Sequence, residues 1–193
     1  MAVSSTMLAL GTKAPEFSLP EVSSGQAITL STFASQKALL VIFICQHCPY
    51  VKHVEKELAR IGSDFVPRGV GIVAISSNDV GNYPEDSPEH LKKMALDLKF
   101  NFPVCFDETQ EAAKAFRAAC TPEFYLFNED RKLVYRGQLD DSRPKNNLPV
   151  TGEDLRTALE ALLSGGVPSE EQKPGIGCNI KWKPGNEPEY FSR

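Results

Sequence analysis

The chain carries no excess of positive charge. Its 21 Lys and Arg stand against 25 Asp and Glu, a formal net charge of -4, so there is no basic footprint for a nucleic acid or an anionic lipid surface, and neither is expected as a partner. No apolar run approaches the ~20 residues that span a bilayer, so no membrane is expected either. Met1 to Gly11 has no basic residue ahead of its short apolar stretch. It therefore lacks the build of a secretory signal, and the cytoplasm is the expected location. Internal repeats and low-complexity tracts are also missing. Cysteine is sparse, at Cys45, Cys48, Cys105, Cys120 and Cys178. An odd count without an export signal argues against a disulfide framework. A chain of 193 residues does not need one, because a domain of that size buries roughly 70% of its unfolded surface.

What is present centres on Ile44-Cys45-Gln46-His47-Cys48-Pro49-Tyr50. An apolar run, Ala38 to Ile44, precedes it and reads as a strand covered on both faces. Val51, Val54, Leu58 and Ile61 follow at helical spacing, with Gly62 as the expected stop. Pro49 suits the first turn of a helix, where a missing N–H costs nothing. Two thiols three positions apart thus stand at a strand-to-helix junction, where the positive end of the helix favours thiolate over thiol. The spacing predicts Cys45 as the attacking thiolate, its sulfur towards solvent, and Cys48 one turn inside as the resolving thiol. The other reading of the pair is a zinc half-site of Cys45 and Cys48 with His47 or His53. No second close pair completes it, so no metal and no cofactor is expected.

The rest of the chain alternates. Residues 1–36 form a lead-in with two strand-like pieces, Ala14 to Pro20 and Gln26 to Leu30, joined by a turn at Ser23-Ser24-Gly25. Val70 to Ile75 is a second buried strand. Ser87-Pro88-Glu89 starts a helix through Leu98, and Val80 to Asp86 before it is irregular. Phe102 to Phe106 is a short strand, and Thr109 caps an alanine-rich helix over 110–119. Glu123 to Phe127 and Lys132 to Tyr135 make an antiparallel hairpin. Thr151-Gly152-Glu153-Asp154 resembles a capping box for a last helix, Leu155 to Leu163. The alternation predicts an α/β fold with a mixed central sheet flanked by helices. Residues 1–163 are expected to form one domain, and the Gly/Pro-rich residues 164–193 an arm packed on or near it.

With Cys45-x-x-Cys48 between strand and helix and Thr121-Pro122 just before a hairpin, residues 13–163 resemble the thioredoxin-fold superfamily. The N-terminal hairpin and the inserted helix at 87–98 are similar to the peroxiredoxin-like branch, of alkyl hydroperoxide reductase and thiol-specific antioxidant type. The resemblance implies a cis Pro122 packed against the redox cysteines. Against the peroxiredoxin pattern Pro-x-x-x-Thr-x-x-Cys, Cys48-Pro49 matches the final Cys, while Val41 stands for Pro and Cys45 for Thr. Those two residues serve peroxide activation in the family. Against the thioredoxin pattern Trp-Cys-Gly-Pro-Cys, Ile44 stands for Trp and Gln46-His47 for Gly-Pro. A histidine before the second cysteine resembles the oxidising Dsb type. Ile176 to Asn186 resembles a signature of a subgroup with no assigned substrate.

Further candidates follow from topology. If Pro122 lies by the thiols, the hairpin's return strand ends at the same sheet edge, bringing Arg136, Asp140, Asp141 and Arg143 near them. These residues either bind an anionic substrate and move protons or form an internal salt-bridge cluster that fixes the loop. His47 either exchanges protons near neutral pH or faces solvent. Asn78 and Asp79 end a strand at the same edge, with no role assigned. Cys105 and Cys120 read as buried small hydrophobes. Cys178 lies in a Gly-rich tail with no local pattern to bury it and is a candidate third redox thiol.

The expected function is a thiol–disulfide oxidoreductase on a Cys45/Cys48 couple. Its partners are a protein or small-molecule disulfide and a recycling reductant. The alternatives are a thiol peroxidase reducing hydroperoxides and a non-enzymatic redox sensor or metal-binding adaptor.

Overall fold

The computed structural model describes residues 2–191. Along the chain run β1 (Ala2–Ser4), β2 (Ser18–Pro20), β3 (Ala27–Thr29), β4 (Ala38–Phe43), α1 (Pro49–Phe65), β5 (Val70–Ser76), α2 (Pro88–Asp97) and β6 (Val104–Phe106). They continue with α3 (Glu111–Ala115), β7 (Cys120–Thr121), β8 (Glu123–Phe127), β9 (Leu133–Gly137), α4 (Glu153–Leu163) and β10 (Ile176–Asn179).

The main sheet has the order β6-β5-β4-β8-β9. β4 pairs parallel with β5 and antiparallel with β8, so the apolar run after Lys37 becomes the central strand, buried along its whole length. Successive side chains of a strand point to opposite faces. Ala38, Leu40 and Ile42 join Val54, Leu58, Ile61, Leu91, Leu155 and Leu159 in the core under α1, α2 and α4. Leu39, Val41 and Phe43 join Phe17, Phe33, Phe116, Ile180 and Trp182 in the core on the other face. One face is thus covered by three helices, and the other by α3, the N-terminal hairpin and the C-terminal segment. No helix among the described residues is long and apolar enough to cross a membrane.

Local chemistry departs from the sequence expectation in four places. α1 runs through Gly62 to Phe65, because Gly62 serves packing rather than termination: a Cβ there would lie 2.4 Å from Asn101 Oδ1 and 2.8 Å from the Phe102 ring. α3 spans five residues only. Thr109 and Thr151 lie one residue outside the cap positions, which Gln110 and Gly152 occupy in the left-handed region. Thr151 Oγ1 still accepts the Glu153 N–H at 3.3 Å, and Asp140 fixes the turn ahead of it. Its Oδ2 accepts the N–H groups of Thr151 and Gly152, both at 2.7 Å, at the start of α4. Finally, the first and last segments are strands. β10 lies between β1 and β7 in a second, antiparallel sheet, and no periodic pattern in either segment announces this.

Candidate active site

The site forms where β4 ends and α1 begins. Cys48 is the N-cap of α1, with extended backbone, and Pro49 takes the first helical position. Cys45 precedes the helix altogether. The expectation that Cys45 sits at the helix start with Cys48 a turn inside is therefore corrected: Cys48 stands at the helix N-terminus and Cys45 outside it. Cys45 does not face solvent either, since both cysteines are 0% exposed.

Thr121 bridges the two sulfurs. Its Oγ1 lies 3.3 Å from Cys45 Sγ, and its carbonyl oxygen 3.2 Å from Cys48 Sγ. The Thr121–Pro122 peptide is cis. Cys48 is held at about 4, far below an ordinary thiol. The Cys45 S–H donated to it is the leading cause, supported against burial by the Cys178 thiol and by the N–H groups of Val51 and Cys178. Cys45 is pushed far up, first by that same bond to Cys48, then by burial and by the nearby Asp86 carboxylate. The surroundings thus push the two thiols in opposite directions. Thr121 O opposes charge on Cys48, but the donors around that sulfur outnumber it, while Cys45 faces a carboxylate. The charge therefore belongs on Cys48 and the proton on Cys45.

Asp86, absent from the sequence candidates, organises the loop between the cysteines. It is 0% exposed. Its Oδ1 accepts the N–H groups of Gln46 at 2.7 Å and His47 at 3.0 Å. Its Oδ2 accepts Asn78 Nδ2 at 2.7 Å and lies 2.5 Å from His47 Nδ1. A carboxylate only accepts, so the His47 proton sits on Nδ1. The His47 ring stacks on Tyr83, with centroids 5.4 Å apart. Asn78 Oδ1 in turn accepts the Lys181 N–H at 2.8 Å, tying this cluster to the C-terminal segment. Cys45, His47 and Asp86 place one ligand atom each within 4.8 Å of one another, the set that would hold a thiophilic cation. Every oxygen of Asp86 already has two donors, however, so such an ion would have to displace them. His53, the other ligand weighed from sequence, bonds Ser142 Oγ at 2.7 Å instead.

The structure gathers Cys45, Cys48, His47, Thr121, Pro122 and Cys178, the last as the register partner of Thr121. It disperses the loop residues. Arg136 donates to Leu8 O at 2.7 Å and Gln172 Oε1 at 2.8 Å. Asp140 holds the turn before α4 and accepts the Ser142 N–H at 2.8 Å. Asp141 pairs with Lys173 Nζ at 2.7 Å. Arg143 donates to the carbonyls of Asp140 and Ser142 and to Gln138 Oε1. Only Arg143 borders the proline, across a cavity of about 20 Å³ it shares with Tyr50, His53 and Pro122. Asp79 accepts from Gly81 N and Asn82 Nδ2. Cys105 and Cys120 are fully buried thiols pushed up by burial, Cys105 to about 12. The signal that points to Asp86 lies in the sequence: a polar turn, Pro84-Glu85-Asp86, between a strand's carboxyl end and a capped helix.

A mixed sheet with a thiol pair at the helix start and a cis proline facing it defines a thioredoxin-fold protein of thiol redox chemistry. The family model for AhpC/TSA family matches residues 10–136, and the chain belongs to that family. An uncharacterised conserved protein from Geobacillus kaustophilus is 57% identical, with a TM-score of 0.93 over 95% of this chain and 97% of that one. A hypothetical protein from Sinorhizobium meliloti 1021 is 43% identical, with a TM-score of 0.92 over 94% and 99%. The peroxidoxin BcpB from Mycobacterium tuberculosis shares the fold at 16% identity, with a TM-score of 0.60 over 82% and 97%. Comparison with curated proteins gives no match.

Proposed function

We propose that the protein is a thiol–disulfide oxidoreductase working through a Cys45/Cys48 dithiol–disulfide couple. The observation that carries the reading is the placement of the thiols: Cys48 at the N-cap of α1 and Cys45 just before it, both against Thr121 of the cis Thr121–Pro122 peptide, in surroundings that lower Cys48 and raise Cys45. Two electrons leave the pair for a substrate disulfide as the Cys45–Cys48 bond forms, and a recycling reductant returns them. Asp86 and His47 support the couple by fixing the loop between the thiols. Residues 1–163 act as the redox domain and residues 164–193 as an arm on it.

A second reading is favoured by Cys48-Pro49, which stands where the family's peroxide-reducing cysteine stands. There the Cys48 thiolate takes oxygen from a hydroperoxide and becomes sulfenic acid, and Cys45 condenses with it, releasing water. The two readings share the couple and differ in the oxidant. The test is turnover of insulin with dithiothreitol, and of hydrogen peroxide, by wild type, Cys45→Ser and Cys48→Ser. Disulfide turnover that falls about a thousandfold in Cys48→Ser supports the first reading. Peroxide consumption above disulfide turnover supports the second, and unchanged turnover in both variants defeats both.

A further inference from the structure

The redox pair is sealed. Cys45 and Cys48 have no exposed surface, so neither sulfur meets an external disulfide as the site stands. Cys178 differs. It is half-buried, packs against the core cluster that contains both cysteines, and lies opposite Thr121 in the β10–β7 ladder. Thr121 is the residue that touches both buried sulfurs. Cys178 is close enough to Cys48 to help lower it. Gly177 makes this approach possible. A Cβ there would lie 2.0 Å from Thr121 O, so any side chain would push β10 and its cysteine off the site.

β10 also fills an edge of β7, next to the thiols, and β1 covers the far side of β10. An extended polypeptide docks by adding a strand to a free edge, and the chain's own C-terminal strand already occupies this one. The strand is firmly held. Asp79 N–H donates to Lys181 O at 2.8 Å, Gln110 Nε2 to the same carbonyl at 2.9 Å, and Trp182 is buried in the core.

We infer that Cys178 is the thiol through which the sealed pair exchanges with its partners, and that those partners are small-molecule disulfides rather than extended polypeptides. The inference rests on the Cys45/Cys48 couple proposed above. Cys178 attacks a disulfide RSSR while its proton passes to the Cys48 thiolate, giving Cys178–S–SR and RS⁻. Cys48 returns that proton to RS⁻ and attacks the Cys178 sulfur, forming a Cys48–Cys178 disulfide and expelling a second RS⁻. This thiolate takes the Cys45 proton. Cys45 then attacks Cys48, and Cys178 leaves as a thiolate. Two electrons have moved from the pair to RSSR, which departs as two RSH.

Oxidised glutathione is the probe. Reduced wild-type protein is mixed with it, quenched in acid at intervals, alkylated and mapped by mass spectrometry. The expected first adduct is glutathione on Cys178, followed by the Cys45–Cys48 bridge. In Cys45→Ser a Cys48–Cys178 bridge is expected to accumulate. Cys178→Ser should be oxidised about tenfold more slowly or worse, and insulin should react more slowly than glutathione with wild type. The relay is overturned if Cys178 stays alkylatable throughout while the 45–48 bridge forms. It is equally overturned if a folded Cys178→Ser is oxidised at the wild-type rate, and the substrate class if insulin reacts faster than glutathione. If wild type never forms the 45–48 bridge, the couple itself has failed, which is a separate result.

Discussion

Two buried carboxylates flank the site, and they are built alike. Asp86 accepts the N–H groups of Gln46 and His47 and the amide of Asn78. Asp140 accepts those of Ser142, Thr151 and Gly152. Each ties a loop by satisfying backbone donors that would otherwise be buried unpaired. The difference lies in whose donors they are. Asp86 holds the two residues between the cysteines and stands close enough to Cys45 to raise it. Asp140 holds the start of α4 and reaches neither sulfur. Identical chemistry thus serves the site in one place and the scaffold in the other, and position alone decides which.

The comparison predicts a split between the two aspartates. Asp86→Ala leaves several buried donors without partners. It is expected to cost about 3 kcal/mol of stability by urea unfolding and to lower disulfide turnover about tenfold. An Asp86→Ala enzyme with wild-type turnover would break the comparison.

A third buried carboxylate sharpens it. Glu123 follows the cis proline, and its Oε2 accepts the N–H groups of Ala119 and Cys120 and, at longer range, the Cys120 thiol. Burial therefore prevails over hydrogen bonding, and Glu123 is pushed up to about 7 from 4.5. Because the folded value lies above the unfolded one, the folded state holds the proton more tightly. The stability this gives is fully present below the unfolded value and is lost as pH rises through about 7. The gap corresponds to about 3 kcal/mol. Urea unfolding from about pH 4.5 to about pH 8 should show wild type losing stability relative to Glu123→Gln. Parallel curves for the two proteins would refute this.

The smallest effect belongs to the far side. Asp140→Ala is expected to cost about 2 kcal/mol of stability, because the N–H groups of Ser142, Thr151 and Gly152 lose their acceptor in the turn before α4. Turnover should stay within about twofold of wild type, because no bond from Asp140 reaches the thiols. Turnover measured beside the unfolding midpoint checks both halves.

The parts of the fold legible in sequence were those written in local periodicity. The apolar run before Cys45 became the central strand, and the spacing after Pro49 became α1, because burial on one or both faces leaves a pattern in neighbouring residues. Cys45, Cys48 and Thr121-Pro122 were legible because motif and context agree. Asp86 was not, since its meaning depends on Gln46 and His47, 40 and 39 positions away. Topology brought Arg136 and Asp140 to the correct sheet edge but could not say which way they turn. Their partners, Leu8, Gln172 and Gly152, come from segments with no pattern linking them. The placement of the two cysteines against the helix differed for a similar reason: a shift of three residues in where the helix begins puts Cys48, not Cys45, at its N-terminus.

The central claim is that the charge of the reduced pair resides on Cys48, with the proton on Cys45. Ultraviolet thiolate absorbance, followed against pH in reduced wild type, Cys45→Ser and Cys48→Ser, tests it most directly. The account predicts one thiolate already present well below neutral pH in wild type. It should persist at a somewhat higher pH in Cys45→Ser, where a hydroxyl still donates to Cys48, and vanish in Cys48→Ser. A low-pH thiolate that survives in Cys48→Ser and disappears in Cys45→Ser would contradict it.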